Sequence, residues 1–188
     1  MHNYNYKMKN TVMMLIALIG LSISATAQIY RTSNGKIDFF SKTPVEDIEA
    51  HSTTTVVLLN TKTNDVVFQV LNTSFNFPNK LMQEHFNEKY IESEKFPNST
   101  FSGKINETID YTKDGTYDVT VTGKLNIHGV EQVRTIKGKV TIKGESVQLV
   151  SDFKVKVADH KIEIPKLVTA KIAEEIEVHV DASLTPKK

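Results

Sequence analysis

The chain has 188 residues, no cysteine, and 23 Lys and Arg against 22 Asp and Glu. Without Cys there is no disulfide framework, thiol nucleophile, iron–sulfur cluster or zinc–thiolate site. A charge balance this even lacks the basic excess of a polyanion-binding surface, which excludes nucleic acid as the expected partner.

The N-terminus reads as a leader. Lys7 and Lys9 precede an uncharged apolar run over 12–23, and Ala25-Thr26-Ala27 follows. A basic n-region, a short apolar h-region and an A-x-A end make up a secretory signal peptide. The run falls short of the ~20 apolar residues that a membrane-spanning helix needs. Cleavage is expected after Ala27, giving a signal peptide over 1–27 and a single domain over 28–188. A domain of that size buries enough surface to fold without disulfides. No Cys near the site allows a lipid anchor, so the expected destination is the periplasm or the medium.

From there on the dominant period is two, the signature of strands with one apolar and one wet face. Strands are expected at 36–42, 52–59, 66–73 and 98–106. Four more follow at 117–127, 136–143, 147–157 and 175–181. The clearest is 117–127, where Val119, Val121, Leu125 and Ile127 alternate with Thr120, Thr122, Lys124 and Asn126. In 136–143 the lysines fall on every second residue, as on a solvated strand face. One segment breaks the pattern. Over about 79–91, Leu81, Met82, His85, Phe86 and Tyr90 recur at helical spacing, with Asn79 as N-cap and Pro78 ending what precedes it. A shorter helical turn is expected after Pro165, over 166–172.

Asp114-Gly115, His128-Gly129 and Lys143-Gly144 interrupt consecutive alternating segments, and each is expected to be a hairpin turn. Hairpins make neighbouring strands antiparallel. About eight such strands must close into a barrel or stack as a sandwich, because long open edges invite aggregation. The fold class is therefore all-β, with one helix placed to cap an end.

Catalytic motifs are absent. His51, His85, His128, His160 and His179 stand singly, with no H-x-H, H-x3-H or HExxH spacing, and are expected at the surface or in turns. There is no G-x-S-x-G elbow, Walker loop or dinucleotide fingerprint. The acidic pairs Glu46/Asp47 and Glu174/Glu175 are adjacent in sequence, so on a strand they point to opposite faces. No cofactor, metal or enzyme activity is expected.

Three runs suggest a relationship. The segment Phe75–Ile105 carries His85, then Phe86 with Tyr90, then Pro97 and Phe101 leading into a strand. Gly123, Leu125, Gly129 and Val130 form a G-x-L-x-x-x-G-V hairpin, and DFKVKVADHKIEIP follows over 152–165. In this order and spacing, over roughly 36–184, the chain resembles the YceI-like family. HFNEKYIES stands where commoner members have H-L-x-S-x-x-F-F, so Phe86 replaces a leucine and Tyr90-Ile91 a double Phe at the mouth. The resemblance implies an antiparallel up-and-down, lipocalin-like barrel of about eight strands, capped by the helix and enclosing an apolar tunnel. It also implies a periplasmic or secreted binder of polyisoprenoid lipids or isoprenoid quinones.

The candidate tunnel-lining residues are Phe39, Phe68, Val70, Phe75, Phe77, Met82, Phe86, Tyr90, Phe101, Val121, Leu125, Phe153 and Val155. For each, ordinary core filling is the competing role. The ligand expected is an isoprenoid or other amphiphilic lipid; transient contact with a membrane surface and a homodimer are compatible with the sequence. Two other readings stay open. In one, a solid barrel serves as a protein-interaction module of the cell envelope. In the other, an enzyme works with His85 or His128 beside a carboxylate in the barrel mouth.

Overall fold

A computed structural model describes residues 29–187; the leader expected over 1–27 lies outside the described residues. Eight strands, β1 (Ile29–Lys42), β2 (Asp47–Asn60), β3 (Asp65–Leu71), β4 (Asn98–Ile105), β5 (Gly115–Ile127), β6 (Val130–Lys143), β7 (Ser146–Lys156) and β8 (Glu175–Pro186), follow in chain order. Each pairs antiparallel with the next, and β8 returns to β1, so the sheet is a closed up-and-down barrel. Closure removes the exposed edges that an alternating eight-strand sheet would otherwise present. Every strand expected from the alternation is present, several with longer ends; β1 begins at Ile29 rather than at residue 36.

Turn chemistry sets the ends. His128 and Gly129 have φ of 53° and 70°, the paired positive values that a two-residue hairpin between right-twisted strands requires. Gly144, with φ 56°, does the same work between β6 and β7. The expectation at Asp114-Gly115 needs correction. Gly115 opens β5, but the connection from β4 spans 106–114 and is no tight hairpin. It folds Ile109 inward, and the Tyr111 hydroxyl donates to Asn64 Oδ1 at 3.1 Å, so the loop stoppers that end of the barrel. An apolar residue in a connecting loop has no strand period to announce it.

The helical segment covers the opposite end. Helix α1 (Lys80–His85) starts as predicted, with Asn79 Oδ1 accepting from Leu81 N at 2.9 Å. It then widens into a π-turn over Phe86–Tyr90, where Ile91 N donates to Phe86 O at 2.8 Å. The widened turn sets Phe86 against Phe39, Phe75 and Phe77, with ring centroids 5.2–5.9 Å apart. After Pro165 only a single 3-10 turn forms, over Lys166–Val168.

Packing divides the barrel into two halves. Around the 106–114 end, Val57, Leu59, Val66, Val140, Ile142, Val147 and Leu184 are at most 3% exposed and form a solid core. Toward the helix end the inward-facing Ile37, Phe39, Phe68, Val121, Phe153, Ile176 and Val178 are all only half-buried. Side chains that point into a closed barrel yet stay accessible require a hollow interior. A filled interior at normal packing density would have buried them.

Candidate functional site

The hollow half is one chamber of about 570 Å³. That volume lies within the ~300–1,000 Å³ typical of small-molecule sites. Strand alternation supplies the walls: Phe39 from β1, Phe68 and Val70 from β3, Phe101 from β4, Val121 and Leu125 from β5, and Phe153 and Val155 from β7. Phe75 and Phe77, on the segment after β3, and Met82, Phe86 and Tyr90, on the helical segment, form the mouth. All thirteen residues singled out from the sequence therefore stand on the wall of one chamber. Sequence reasoning missed Ile162, Ile164, Val168 and Ile172, which also face it. They lie in the 157–174 connection, where no regular period marks the inward positions.

Two glycines shape the wall. Gly103 on β4 pairs with Gly123 on β5, and the Phe101 ring lies across both. A methyl group on Gly123 would come within 2.5 Å of Gly103 Cα and 2.9 Å of the Phe101 ring. The absence of side chains at this pair lets the ring fold flat against the sheet, leaving the chamber open above it.

The polar groups near the chamber are few. His85 stands at the mouth and forms no ion pair among the described residues. Burial raises the Tyr90 phenol above its ordinary value, so it remains a neutral donor. The pairing an enzyme would need, a histidine beside a carboxylate, exists at His128, whose Nε2 lies 2.6 Å from Glu92 Oε2. That pair lies off the chamber wall. His128 Nδ1 donates to His160 O at 3.1 Å and Phe96 stacks edge-on against its ring, which ties three loops into a corner. The hydrogen bond from His128 holds the Glu92 carboxyl below its usual range.

Of the two histidines at this corner, His128 meets its expectation and His160 departs from it. His128 does sit in a turn, but its side chain is only 13% exposed. His160 is fully buried, against the surface position expected for it. Its Nδ1 donates to Val130 O at 3.0 Å, while Nε2 finds no partner. Burial pushes its pKa down, so the ring is neutral. No group of three or more potential metal ligands exists among the described residues.

The chain also matches a sequence-family model, that of the YceI-like domain, over residues 18–184. The chain belongs to the YceI-like family. Solved structures share the YceI-like barrel at low identity. A polyisoprenoid binding domain from Saccharophagus degradans superposes with a TM-score of 0.73 at 13% identity, covering 86% of this chain and 99% of that one. BcnA of Burkholderia cenocepacia gives 0.67 at 16% identity, covering 80% and 96%. The YCEI protein of Campylobacter jejuni gives 0.57 at 17%, covering 72% and 81%. No curated protein sequence matches the chain.

Proposed function

We propose that this YceI-like protein is an exported binding protein that holds the apolar tail of an isoprenoid lipid, quinone or similar amphiphile in its chamber and performs no chemistry on it. The observation that carries the proposal is the chamber itself: large, lined by apolar side chains, sealed at the 106–114 end and open beneath the helical segment. Apolar surface moved from water into such a space contributes about 25 cal/mol per Å², enough to hold a lipid tail without a single charged contact. Met82 and the Phe cluster at the mouth suit a tail of irregular shape, since Met is flexible and aromatic rings offer wide faces. The polyisoprenoid-binding relative from Saccharophagus degradans shares this barrel, which supports the choice of ligand class.

The export half of the proposal rests on the leader over 1–27, with cleavage after Ala27 and release into the periplasm or the medium. One preparation tests both halves. The full chain is expressed in a bacterial host, and the purified protein is weighed intact and then extracted with organic solvent for mass spectrometry. A mass beginning at Gln28 and a stoichiometric prenyl lipid or quinone are expected. A clean extract, together with no uptake of added isoprenoids by the folded protein, would overturn the binding half. An uncleaved chain retained in the cytoplasm would overturn the export half.

A further inference from the structure

The barrel wall is not continuous. β5 and β6 pair along the whole of Gly115–Ile127, and β7 and β8 pair along Val147–Lys156. Between β6 and β7, however, the ladder covers only Lys139–Lys143 against Ser146–Val150. From Gly138 to Val130 on one strand, and from Ser151 to Lys156 on the other, no ladder pair joins the two. The strands part toward the helix end, alongside the hollow half of the barrel.

Side chains bar this seam where backbone would have closed it. Ser151 Oγ donates to Lys137 O at 2.7 Å, and Arg134 Nη2 to Lys154 O at 2.8 Å. Gln132 Nε2 donates to Asp159 O at 2.7 Å, and the His160 bond to Val130 O closes the top. Arg134 and Gln132 sit opposite Gly123 and Leu125, on the face of β6 that elsewhere points inward as Ile136 and Val140. The sequence thus leaves the apolar pattern at the seam and substitutes long polar side chains that reach across. The chamber extends to it. Its wall includes Lys137, Lys139 and Val150, whose side chains belong to the outer face, so the chamber meets these residues at the strand edges.

We infer that this seam is a lateral portal, through which the part of a long isoprenoid chain that the blind chamber cannot hold passes between β6 and β7. The inference rests on the binding function proposed above and adds a prediction about chain length. The far end of the chamber is sealed by Leu59, Val140 and Leu184, so the surplus of a tail longer than the chamber must stay outside at the mouth, double back or leave sideways. A ladder opens only by breaking a cooperative row of backbone bonds. Here each bar is a separate side-chain bond that swings aside on its own rotamer.

The test exploits the absence of cysteine. Val133, 71% exposed, and the exposed Lys154 lie on the outer faces of the two strands across the seam, away from the chamber. Cysteines placed there by Val133→Cys and Lys154→Cys are bridged with a flexible bis-maleimide. Binding of farnesol, a short prenol, and of solanesol, a long one, is then compared before and after bridging. Farnesol affinity should stay within about twofold, while solanesol affinity falls by about tenfold or more. Arg134→Ala, which removes a bar, should speed solanesol uptake severalfold and leave farnesol uptake unchanged.

Equal solanesol affinity before and after bridging overturns the portal. So does an equal loss of both prenols on bridging, because the seam would then serve the whole chamber rather than the surplus chain. If the unbridged protein takes up neither prenol, the chamber reading itself fails. Hydrogen exchange supplies a readout that needs no ligand. Amides of Val130–Gly138 that face the seam should exchange faster than those of the same stretch bonded to β5; uniform protection along β6 overturns the proposal.

Discussion

Filling the chamber from its own wall separates a hollow barrel from a solid one. Val121 on β5 points inward between Ile105 and Ile136, yet remains half-buried because it faces the void. In a packed core, Val→Phe forces strain costing about 1–3 kcal/mol. Here the added ring has room, since a cavity of about 150 Å³ already accepts benzene and the chamber holds about 570 Å³. Val121→Phe should therefore shift apo stability by less than about 1 kcal/mol in either direction. Binding should respond differently. The ring displaces roughly one isoprene unit, and about five carbons at ~0.8 kcal/mol each come to ~4 kcal/mol, on the order of 10³ in Kd for a ligand that fills the chamber. Urea unfolding of the ligand-free protein measures the first quantity, and a prenol titration the second. A loss of 2–3 kcal/mol in apo stability with unchanged affinity would refute the reasoning, since the space around Val121 would then be filled in solution.

The remaining predictions concern the framework. Gly123→Ala should destabilise by about 1–3 kcal/mol in urea unfolding, because the new methyl drives into Gly103 and the Phe101 ring; a neutral substitution would show that the β4–β5 wall relaxes freely. Glu92 has its carboxyl held below the ordinary 4.5 by the His128 bond, so its contribution is complete above pH 4.5 and is lost as pH falls through the lower folded value. Unfolding midpoints of Glu92→Gln should accordingly fall less steeply than those of the parent on that acid limb, and identical slopes would exclude the role. His160 works in a different window. Burial keeps it neutral in the folded state, whereas the unfolded chain takes up a proton below about pH 6.5. Stability should decline as pH drops from that point, and His160→Gln, which keeps a donor for Val130 O, should lack this slope. Asn79→Ala removes the acceptor for Leu81 N and should cost about 1 kcal/mol, read as faster hydrogen exchange across α1.

The strands were legible because a strand's face is a local property. Val119, Val121 and Leu125 declare an inner side with no knowledge of their neighbours, and His128-Gly129 declares a turn through its backbone requirement alone. The same alternation, the aromatic stripe of the helical segment and the tunnel implied by the family resemblance together marked thirteen residues that share one chamber. Periodicity could not tell filled from hollow, because Leu59 and Phe68 look alike in sequence. Only the barrel's closure decides that Leu59 meets a neighbour at every side while Phe68 faces a void.

Features that depend on distant partners were out of reach for the same reason. His160 is buried because β6 happens to pass over it, and Glu92 becomes a partner for His128 across 36 residues of sequence. The loop residues Ile109 and Ile162 carry no period, so their inward positions follow from where the connections are forced to run. The β6–β7 seam belongs to this class as well. Gln132 and Arg134 lie ahead of the strand expected from residue 136, and only the tertiary structure makes them the bars of an opening.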